Sequence, residues 1–338
     1  MKLPEWTFHE EEQMTQVKIS ISGPLRWVNS YLWRGEKGIV IVDPGPRSEQ
    51  TEEEWRVIWN ALSIAPQEIT DIVLTHHHPD HYGLAGWMQE QTGARVWMSE
   101  RAHQEAEFMW GRAAEINHVL PAYFRSHGMT EKWAEQLLPH LESFHSQVTP
   151  SPIVQYVEEG TFEVGGRRFQ VIETSGHAPG HLSFYETDRE LIICGDAVLP
   201  QISPNISLLP GSDPKPLLHF IQGLEQLEAL SVRKAFPGHR HPMNSFRERV
   251  SSLKTHHEER LNQIEKMIGE EPRNAFEVCT ALFGEKFGIH QMRFAMAETL
   301  AHLQELVRRG RADLTQKVVQ ESKRPLYVYE INKKKDNP

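Results

Sequence analysis

The segment THHHPDHYG, residues 75–83, carries four histidines and one aspartate within six positions. It follows the apolar run Asp71–Leu74, which has the β-rich composition of a buried strand, and Pro79 marks the turn that ends this run. Alternate side chains of an extended segment point the same way, so His76 and His78 can converge. The segment therefore predicts a strand whose end places two imidazoles on one side of a turn.

The same turn leads into a predicted helix that begins near Tyr82, and it presents Asp80 and His81 at the helix start. His77 points away from its neighbours and is predicted to be a turn residue. Two nitrogen ligands and a carboxylate–nitrogen pair thus form two adjacent half-sites, which suit zinc and also iron or manganese. Because a zinc ion takes about four ligands, other parts of the chain must complete the half-sites.

Four more candidate residues share one sequence context. Each follows an apolar run and lies in a turn rich in glycine or proline, where loops place functional groups on a rigid sheet. They are Asp43 in IVIVDPG, His177 in TSGHAPGHLSF, Asp196 in ICGDAVLP and His239 in FPGHRHP. The two cysteines, Cys194 and Cys279, lack CxxC spacing, so any metal must be held by histidine and carboxylate.

These motifs together resemble the metallo-β-lactamase superfamily, and they occur in its order between residues 43 and 239. The family's HxHxDH motif corresponds to His76, His78, Asp80 and His81. Its later histidine corresponds to His177, its bridging aspartate to Asp196 and its last histidine to His239. The aspartate of its first motif corresponds to Asp43. No ligand position departs from the family pattern. The resemblance implies an α/β fold, the αββα sandwich, with a two-metal site at one edge.

The resemblance also implies a role for each residue. His76, His78 and His177 would hold the first metal. Asp80, His81 and His239 would hold the second metal, and Asp196 would bridge the two. The cofactors would be two divalent ions, expected to be zinc, with manganese or iron also compatible. Asp80 and Asp196 would act with a metal-bridging hydroxide, the nucleophile of a hydrolysis. Asp43 would orient ligands, and His181 is predicted to be a buried structural histidine rather than a further ligand.

The chain divides into two predicted units. Residues 1–250 alternate strands and helices and form the predicted catalytic domain, with a helical insertion at about 101–150. The insertion is either a cap near the substrate pocket or a helical excursion without a role in binding. Residues 251–338 hold three helices and two strand-like runs, which is the order of a winged helix.

Two function classes stay open. The segment TSGHAPGH resembles the TPGHTxGH run of glyoxalase-II-related hydrolases, so the main hypothesis is hydrolysis of a small ester, thioester or lactone; no recognisable glutathione-binding set accompanies it. The alternative is a ribonuclease or phosphodiesterase, because residues 305–335 carry nine Lys+Arg against four Asp+Glu. Residues 1–250, however, carry 21 Lys+Arg against 33 Asp+Glu, which disfavours nucleic acid as a partner. The competing interpretation of the C-terminal unit is packing on the catalytic domain or a homodimer interface.

The sequence also predicts a cellular location. No apolar run approaches the roughly 18 residues of a membrane helix. The N-terminal MKLPEWTFHEEEQ lacks the basic and apolar regions of a signal peptide. We therefore expect a cytoplasmic protein with a small-molecule substrate and no membrane contact. A β-lactamase role is disfavoured because it usually needs export, and an oxygen-reducing role because no flavodoxin-like domain follows.

Overall fold

A computed structural model describes residues 4–111, 114–318 and 324–332. Within these ranges the strands are β1 Trp6–His9, β2 Met14–Ser20, β3 Trp27–Gly35, β4 Gly38–Val42, β5 Ile69–Val73, β6 Arg95–Met98, β7 Val154–Tyr156, β8 Gly160–Val164, β9 Arg167–Glu173, β10 Leu182–Glu186, β11 Leu191–Gly195, β12 Lys234–Pro237, β13 Ala312–Val318 and β14 Pro325–Ile331. The α-helices are α1 Glu49–Ala61, α2 Pro79–Tyr82, α3 Ala85–Thr92, α4 Glu100–Trp110, α5 Ile116–Ser126, α6 Glu131–Ala134, α7 Leu137–Glu142, α8 Pro216–Glu228, α9 Phe246–Glu270, α10 Ala275–Phe283 and α11 Ile289–Arg308.

Two large sheets form the centre of the molecule. The first contains β1 to β7 in chain order, and the second has the order β12-β11-β10-β9-β8. The inner faces of the sheets bury a shared apolar core, in which Trp33 of β3 lies 5.7 Å from Phe169 of β9, centroid to centroid. Strands β4 to β7 run parallel to one another, as do β11 and β12, so their carboxyl ends meet at common edges.

The outer faces of both sheets are covered by helices. Along β4, Val40 joins the core between the sheets, whereas its neighbour Ile41 joins Trp55 of α1 in the outer core. This two-sided burial explains why β4 is an unbroken apolar run. On the second sheet, Ile192 of β11 belongs to the same outer core as Phe220 of α8. The four layers confirm the predicted αββα sandwich.

The predicted elements differ from the structure in a few places. The helix expected to begin near Tyr82 begins at Pro79 instead, because proline suits the first position of a helix. Helices α4 to α7 confirm the helical insertion. Strand β1 and helix α8 were not predicted. Gly165-Gly166 forms the hairpin turn between β8 and β9, with both φ angles positive.

The C-terminal part has the predicted order of three helices and a hairpin. Helix α9 passes through residue 250, so the proposed division there falls inside one continuous helix. Asn274 caps α10, and Gly310, with φ +64°, follows the end of α11. The winged-helix classification stays a prediction. Among the described helices, none is both long and apolar enough to cross a membrane.

Two histidines are buried between α9 and α11 and hydrogen-bond to each other, His257 Nδ1 to His302 Nε2 at 3.1 Å. Burial lowers the pKa of His257 to about 2 and that of His302 to about 4. Their unfolded pKa is about 6.5, so the unfolded state takes up protons first as the pH falls. As the pH falls from 7 to 5, we expect each ring to lower the free energy of unfolding by about 2 kcal/mol.

Urea unfolding at several pH values tests this expectation. The double variant His257→Leu/His302→Leu removes both rings together, and its loss of stability between pH 7 and pH 5 should be clearly smaller than in the parent. His145→Leu changes an exposed histidine and should keep the parent's acid sensitivity. An unchanged acid sensitivity in the double variant would show that other groups set it.

Candidate metal centre

The predicted site residues lie at one edge of the two sheets. Asp43 follows β4, the segment 76–81 follows β5, Asp196 follows β11 and His239 follows β12. His177 lies in the turn between β9 and β10. Since β4 pairs with β5 and β11 with β12 in parallel, the carboxyl ends of these strands deliver their next residues to the same place.

The structure brings all seven predicted ligands together. Three groups each place one ligand atom per residue within 4.8 Å of the others: His76, His78 and His177; His76, His81 and Asp196; and Asp80, His81 and His239. Asp196 lies between the first and third groups, since its Oδ2 is 3.5 Å from His177 Nε2 and 3.3 Å from His239 Nε2. The assignment of each residue as a ligand remains a proposal.

His76 and His78 show the geometry of a shared ion most directly. His76 Nε2 and His78 Nδ1 are 3.1 Å apart. Two nitrogens bound to one tetrahedral zinc at about 2.0–2.1 Å would be separated by roughly 3.3 Å. The extended backbone predicted after β5 produces this convergence.

Asp43 fixes the orientation of His81. One of its carboxylate oxygens accepts from the Thr75 backbone N–H at 2.8 Å, and the other accepts from Thr75 Oγ1 at 2.7 Å and His81 Nδ1 at 2.8 Å. With a proton on Nδ1, His81 turns Nε2 toward the other ligands. Asp43 has φ +51°, a backbone conformation that aspartate tolerates better than most residues. The structure thus agrees with the orienting role predicted for Asp43.

His177 and His239 are oriented by backbone carbonyls, which the sequence did not indicate. His177 Nδ1 donates to the Asn205 carbonyl at 2.8 Å, and His239 Nδ1 donates to the Trp27 carbonyl at 3.0 Å. Each bond holds the ring so that Nε2 faces the site. A backbone acceptor has no residue signature, so only the folded chain reveals it.

His181 uses both ring nitrogens in hydrogen bonds. Its Nε2 accepts from the Asp196 backbone N–H at 3.1 Å, and its Nδ1 therefore donates to Thr174 Oγ1 at 2.8 Å. Burial lowers the pKa of His181 to about 3, so the ring is neutral. It supports the backbone at Asp196, as a buried structural histidine would. His77 belongs to none of the three ligand groups, and its carbonyl accepts from Trp110 Nε1 at 3.0 Å.

A family model described as the metallo-beta-lactamase superfamily matches residues 24–239, more than half of the chain. The chain belongs to this superfamily. A second model, described as the metallo-beta-lactamase-like C-terminal domain, matches residues 261–320. The solved metallo-beta-lactamase family protein TTHA1429 from Thermus thermophilus is 30% identical, with a TM-score of 0.82 over 95% of this chain and 99% of that one. The superfamily fold therefore continues through the insertion and the C-terminal helices.

Two curated relatives are hydrolases by name. The probable metallo-hydrolase YqjP of Bacillus subtilis is 26% identical over 282 residues, 82% of this chain and 86% of that protein. The hydroxyacylglutathione hydrolase GloC of Haemophilus influenzae is 25% identical over 170 residues, 50% of this chain and 65% of that protein. The chain thus resembles metallo-hydrolases within the superfamily to which it belongs.

Four histidines of this site form two pairs whose pKa values shift in opposite directions. Burial and the neighbouring imidazoles lower the pKa of His76 and His78, so both rings are neutral and able to bind metal. Burial also acts to lower the pKa of His81 and His239, but the neighbouring carboxylates, Asp196 first and then Asp80, together more than offset it. The pKa of His239 rises to about 10, and that of His81 rises well above its usual value. In the metal-free protein these two rings hold protons that a metal must displace.

Three ligand atoms are buried without a hydrogen-bond partner among the described residues: His81 Nε2, His177 Nε2 and Asp196 Oδ1. An unsatisfied buried polar atom destabilises a fold unless something binds it. Metal cations would satisfy all three atoms at once, and imidazole with carboxylate is a suitable donor set. The residues present therefore fit the metals that the superfamily implies.

Gly238 leaves the space for this site. A Cβ at position 238 would lie 2.6 Å from His81 Cε1 and against Asp196 Oδ1. We expect Gly238→Ala to lower the metal affinity by roughly ten- to a hundredfold, as displaced ligand geometry does elsewhere. Metal content after dialysis against a weak chelator measures this change. Gly288→Ala adds the same methyl group where no atom lies within 4 Å, and it should retain its metal. Equal metal content in both variants would contradict the packing argument.

Proposed function

We propose that this metallo-β-lactamase superfamily protein is a binuclear metallo-hydrolase of small esters, thioesters or lactones. The observation that carries the proposal is the position of Asp196. Its carboxylate lies 3.5 Å from His177 Nε2 and 3.3 Å from His239 Nε2, between two groups of ligands that each suit one ion. A carboxylate between two such groups can serve both ions, which a single-metal site does not require.

The residues have distinct tasks in this proposal. His76, His78 and His177 would hold one ion, Asp80, His81 and His239 the other, and Asp196 both. When bound, two such ions supply a nucleophile at neutral pH and polarise the oxygen of the bond under attack. Asp43 keeps the Nδ1 proton of His81 in place, and His181 fixes the backbone of Asp196. These contacts hold the ligands before substrate arrives, which is the condition for a preorganised site.

The substrate class is inferred from relatives and from the site together. Hydroxyacylglutathione hydrolases cleave a thioester by name, and they match about half of this chain. The match leaves about half of the chain uncompared, so the thiol carrier is open. A small ester, thioester or lactone presents the carbonyl that the proposed ions would polarise.

Metal analysis combined with a substrate panel tests the proposal. Purified protein loaded with zinc, manganese or iron(II) should hold about two ions per chain and hydrolyse at least one acyl thioester, ester or lactone. His177→Ala should lose that activity and one equivalent of metal. A fully loaded protein that hydrolyses nothing on the panel would contradict the hydrolase proposal. One equivalent of metal with full activity would contradict the binuclear part.

The alternative of a nucleic-acid substrate lacks a supporting contact. Arg309 and Arg311 both pair with Glu258, at 2.6 and 2.9 Å. Arg308 pairs with Glu305 at 2.6 Å. These arginines are therefore engaged with carboxylates rather than presented to phosphate. We expect no retention of the protein on an RNA column at low salt; retention that falls steeply with added salt would support the ribonuclease alternative.

A further inference from the structure

Arg293, in the first turns of α11, is a buried cation that has no carboxylate partner among the described residues. Arg293 is only 6% exposed, and its Nε has no hydrogen-bond partner among the described residues. Burial lowers the pKa of Arg293 to about 10, which still leaves the guanidinium charged at neutral pH. A buried charge normally has a partner of opposite sign, so its absence here calls for a physical explanation.

Aromatic rings supply only part of the compensation. The guanidinium carbon lies 4.4 Å from the centroid of Phe294 and 5.6 Å from that of Phe144. Such cation–π contacts are weaker than the cost of removing a charge from water. By contrast, Arg260 stacks on Phe283 at 4.9 Å and also has Glu298 at 3.9 Å. The fold thus supplies a carboxylate to one arginine of the C-terminal helices and not to the other.

Two histidines adjoin Arg293. The ring of His290, on α11, lies 5.3 Å from the ring of His140, on α7 of the insertion. His140 Nε2 is buried and has no hydrogen-bond partner among the described residues. Partial burial and the charge of Arg293 lower the pKa of each histidine to about 4, so both rings are neutral at pH 7. His290 is nevertheless an exposed residue, and His140 is half-buried. The group therefore offers one positive charge and imidazole nitrogens beside it.

A chain of side-chain contacts links this group to the proposed metal centre. Phe144 is 5.4 Å from Trp110, whose Nε1 donates to the His77 carbonyl, and His77 is 4.8 Å from the ring of His78. From the other side, the Asp80 carboxylate is close enough to raise the pKa of His290 against the larger effect of burial. The insertion and the C-terminal helices are thus connected to the proposed site through Trp110 and His77, and His290 senses the charge of Asp80.

We propose that Arg293, His290 and His140 form a subsite for the carboxylate of an anionic substrate, beside the bond to be cleaved. The inference rests on the proposed hydrolase function and adds the class of substrate. A guanidinium recognises a carboxylate through two parallel N–H bonds, and neutral imidazoles add further donors. One negative charge would balance the one positive charge that the fold leaves unpaired. The carboxylate could belong to the acyl part or to the leaving group, and the two cases need separate substrates.

Matched thioesters test the subsite. The succinyl and 4-methylpentanoyl thioesters of N-acetylcysteamine differ in an acyl-side carboxylate against an isopropyl group of similar shape. The butyryl thioesters of 3-mercaptopropionate and of its methyl ester differ on the leaving-group side. We expect the parent protein to prefer the anionic member of one pair in kcat/KM by roughly ten- to a hundredfold, the range of a hydrogen-bonded charge.

Variants assign that preference to Arg293. Arg293→Met should abolish the preference, because kcat/KM should fall much more for the anionic thioester than for the neutral one. Arg293→Lys should retain part of the preference because the charge remains. Arg260→Met is the control, since it removes an arginine that already has a carboxylate, and the preference should persist. The metal content of all variants should stay equal to that of the parent.

The outcomes separate this inference from the proposed function. Hydrolysis of both members of each pair with equal kcat/KM would overturn the subsite and leave the hydrolase intact. An equal loss on neutral and anionic substrates in a folded, metal-loaded Arg293→Met would also overturn it, because the arginine would then be structural. Failure of the parent on every thioester, ester and lactone would count against the hydrolase itself.

Discussion

Asp196→Ala should lower kcat/KM by about a thousandfold or more, equivalent to about 4 kcal/mol of transition-state stabilisation. The side chain is 7% exposed and lies within 3.5 Å of ring nitrogens of His81, His177 and His239. Its removal takes away the proposed bridge and the carboxylate charge that the neighbouring imidazoles surround. We expect the metal content to fall together with the activity, measured by steady-state kinetics and elemental analysis on the same preparation.

A second buried aspartate provides the control for this variant. Asp213 accepts from His219 Nδ1 at 2.7 Å and from the Lys215 backbone N–H at 2.9 Å, so it has a similar aspartate–histidine contact outside the ligand groups. Asp213→Ala should keep two metals and most of the activity. If Asp196→Ala kept both metals and near-parental kcat/KM, the bridging role of Asp196 would be wrong.

Removing the metals should lower the free energy of unfolding by about 4 kcal/mol for each site, if the free metal concentration was a thousand times the dissociation constant of that site. The reason is the buried site itself, in which His81 Nε2, His177 Nε2 and Asp196 Oδ1 have no hydrogen-bond partner in the described parts of the chain. Protonation of His81 and His239 offsets part of this loss, because their pKa values are raised in the metal-free protein. Urea unfolding with and without a chelator measures the difference.

The protons on His81 and His239 provide a second measurement of metal binding. Metal binding at neutral pH should release protons from His81 and His239, so the calorimetric heat of binding should depend on the ionisation enthalpy of the buffer. Gly238→Ala, in which the ligand geometry is disturbed, should show a smaller chelator effect on stability. Equal stability with and without chelator, in protein shown to be loaded, would contradict a structural contribution from the metals.

The cluster of proposed ligands was predictable because its signals are local. In the HxHxDH segment, His76 and His78 are two positions apart at a strand end, so the backbone alone can make their side chains converge. His177, Asp196 and His239 each follow an apolar run in a turn rich in glycine or proline, which is also visible without a structure. The apolar run of β4 is likewise visible in the sequence, whereas its burial on both faces was seen only in the structure.

Other features depended on residues far apart in the chain. The carbonyls of Asn205 and Trp27, which orient His177 and His239, belong to positions 28 and 212 residues away from those rings. Helix α8 was missed although its buried face covers the second sheet. Backbone acceptors carry no residue-type signal, so no spacing rule could have found them.

The sequence by itself determined which residues can bind metal and at which strand ends they lie, because short-range backbone geometry sets both. Only the tertiary structure decided which groups stay unpaired. Arg293 lies on the same helix as His290, whose ring contacts that of His140 in the insertion, 150 positions earlier in the chain. Among the described residues no carboxylate pairs with Arg293, whereas Arg260 has Glu298. Whether a charge is compensated depends on packing between distant segments, and that packing gives this proposed hydrolase its candidate anion subsite.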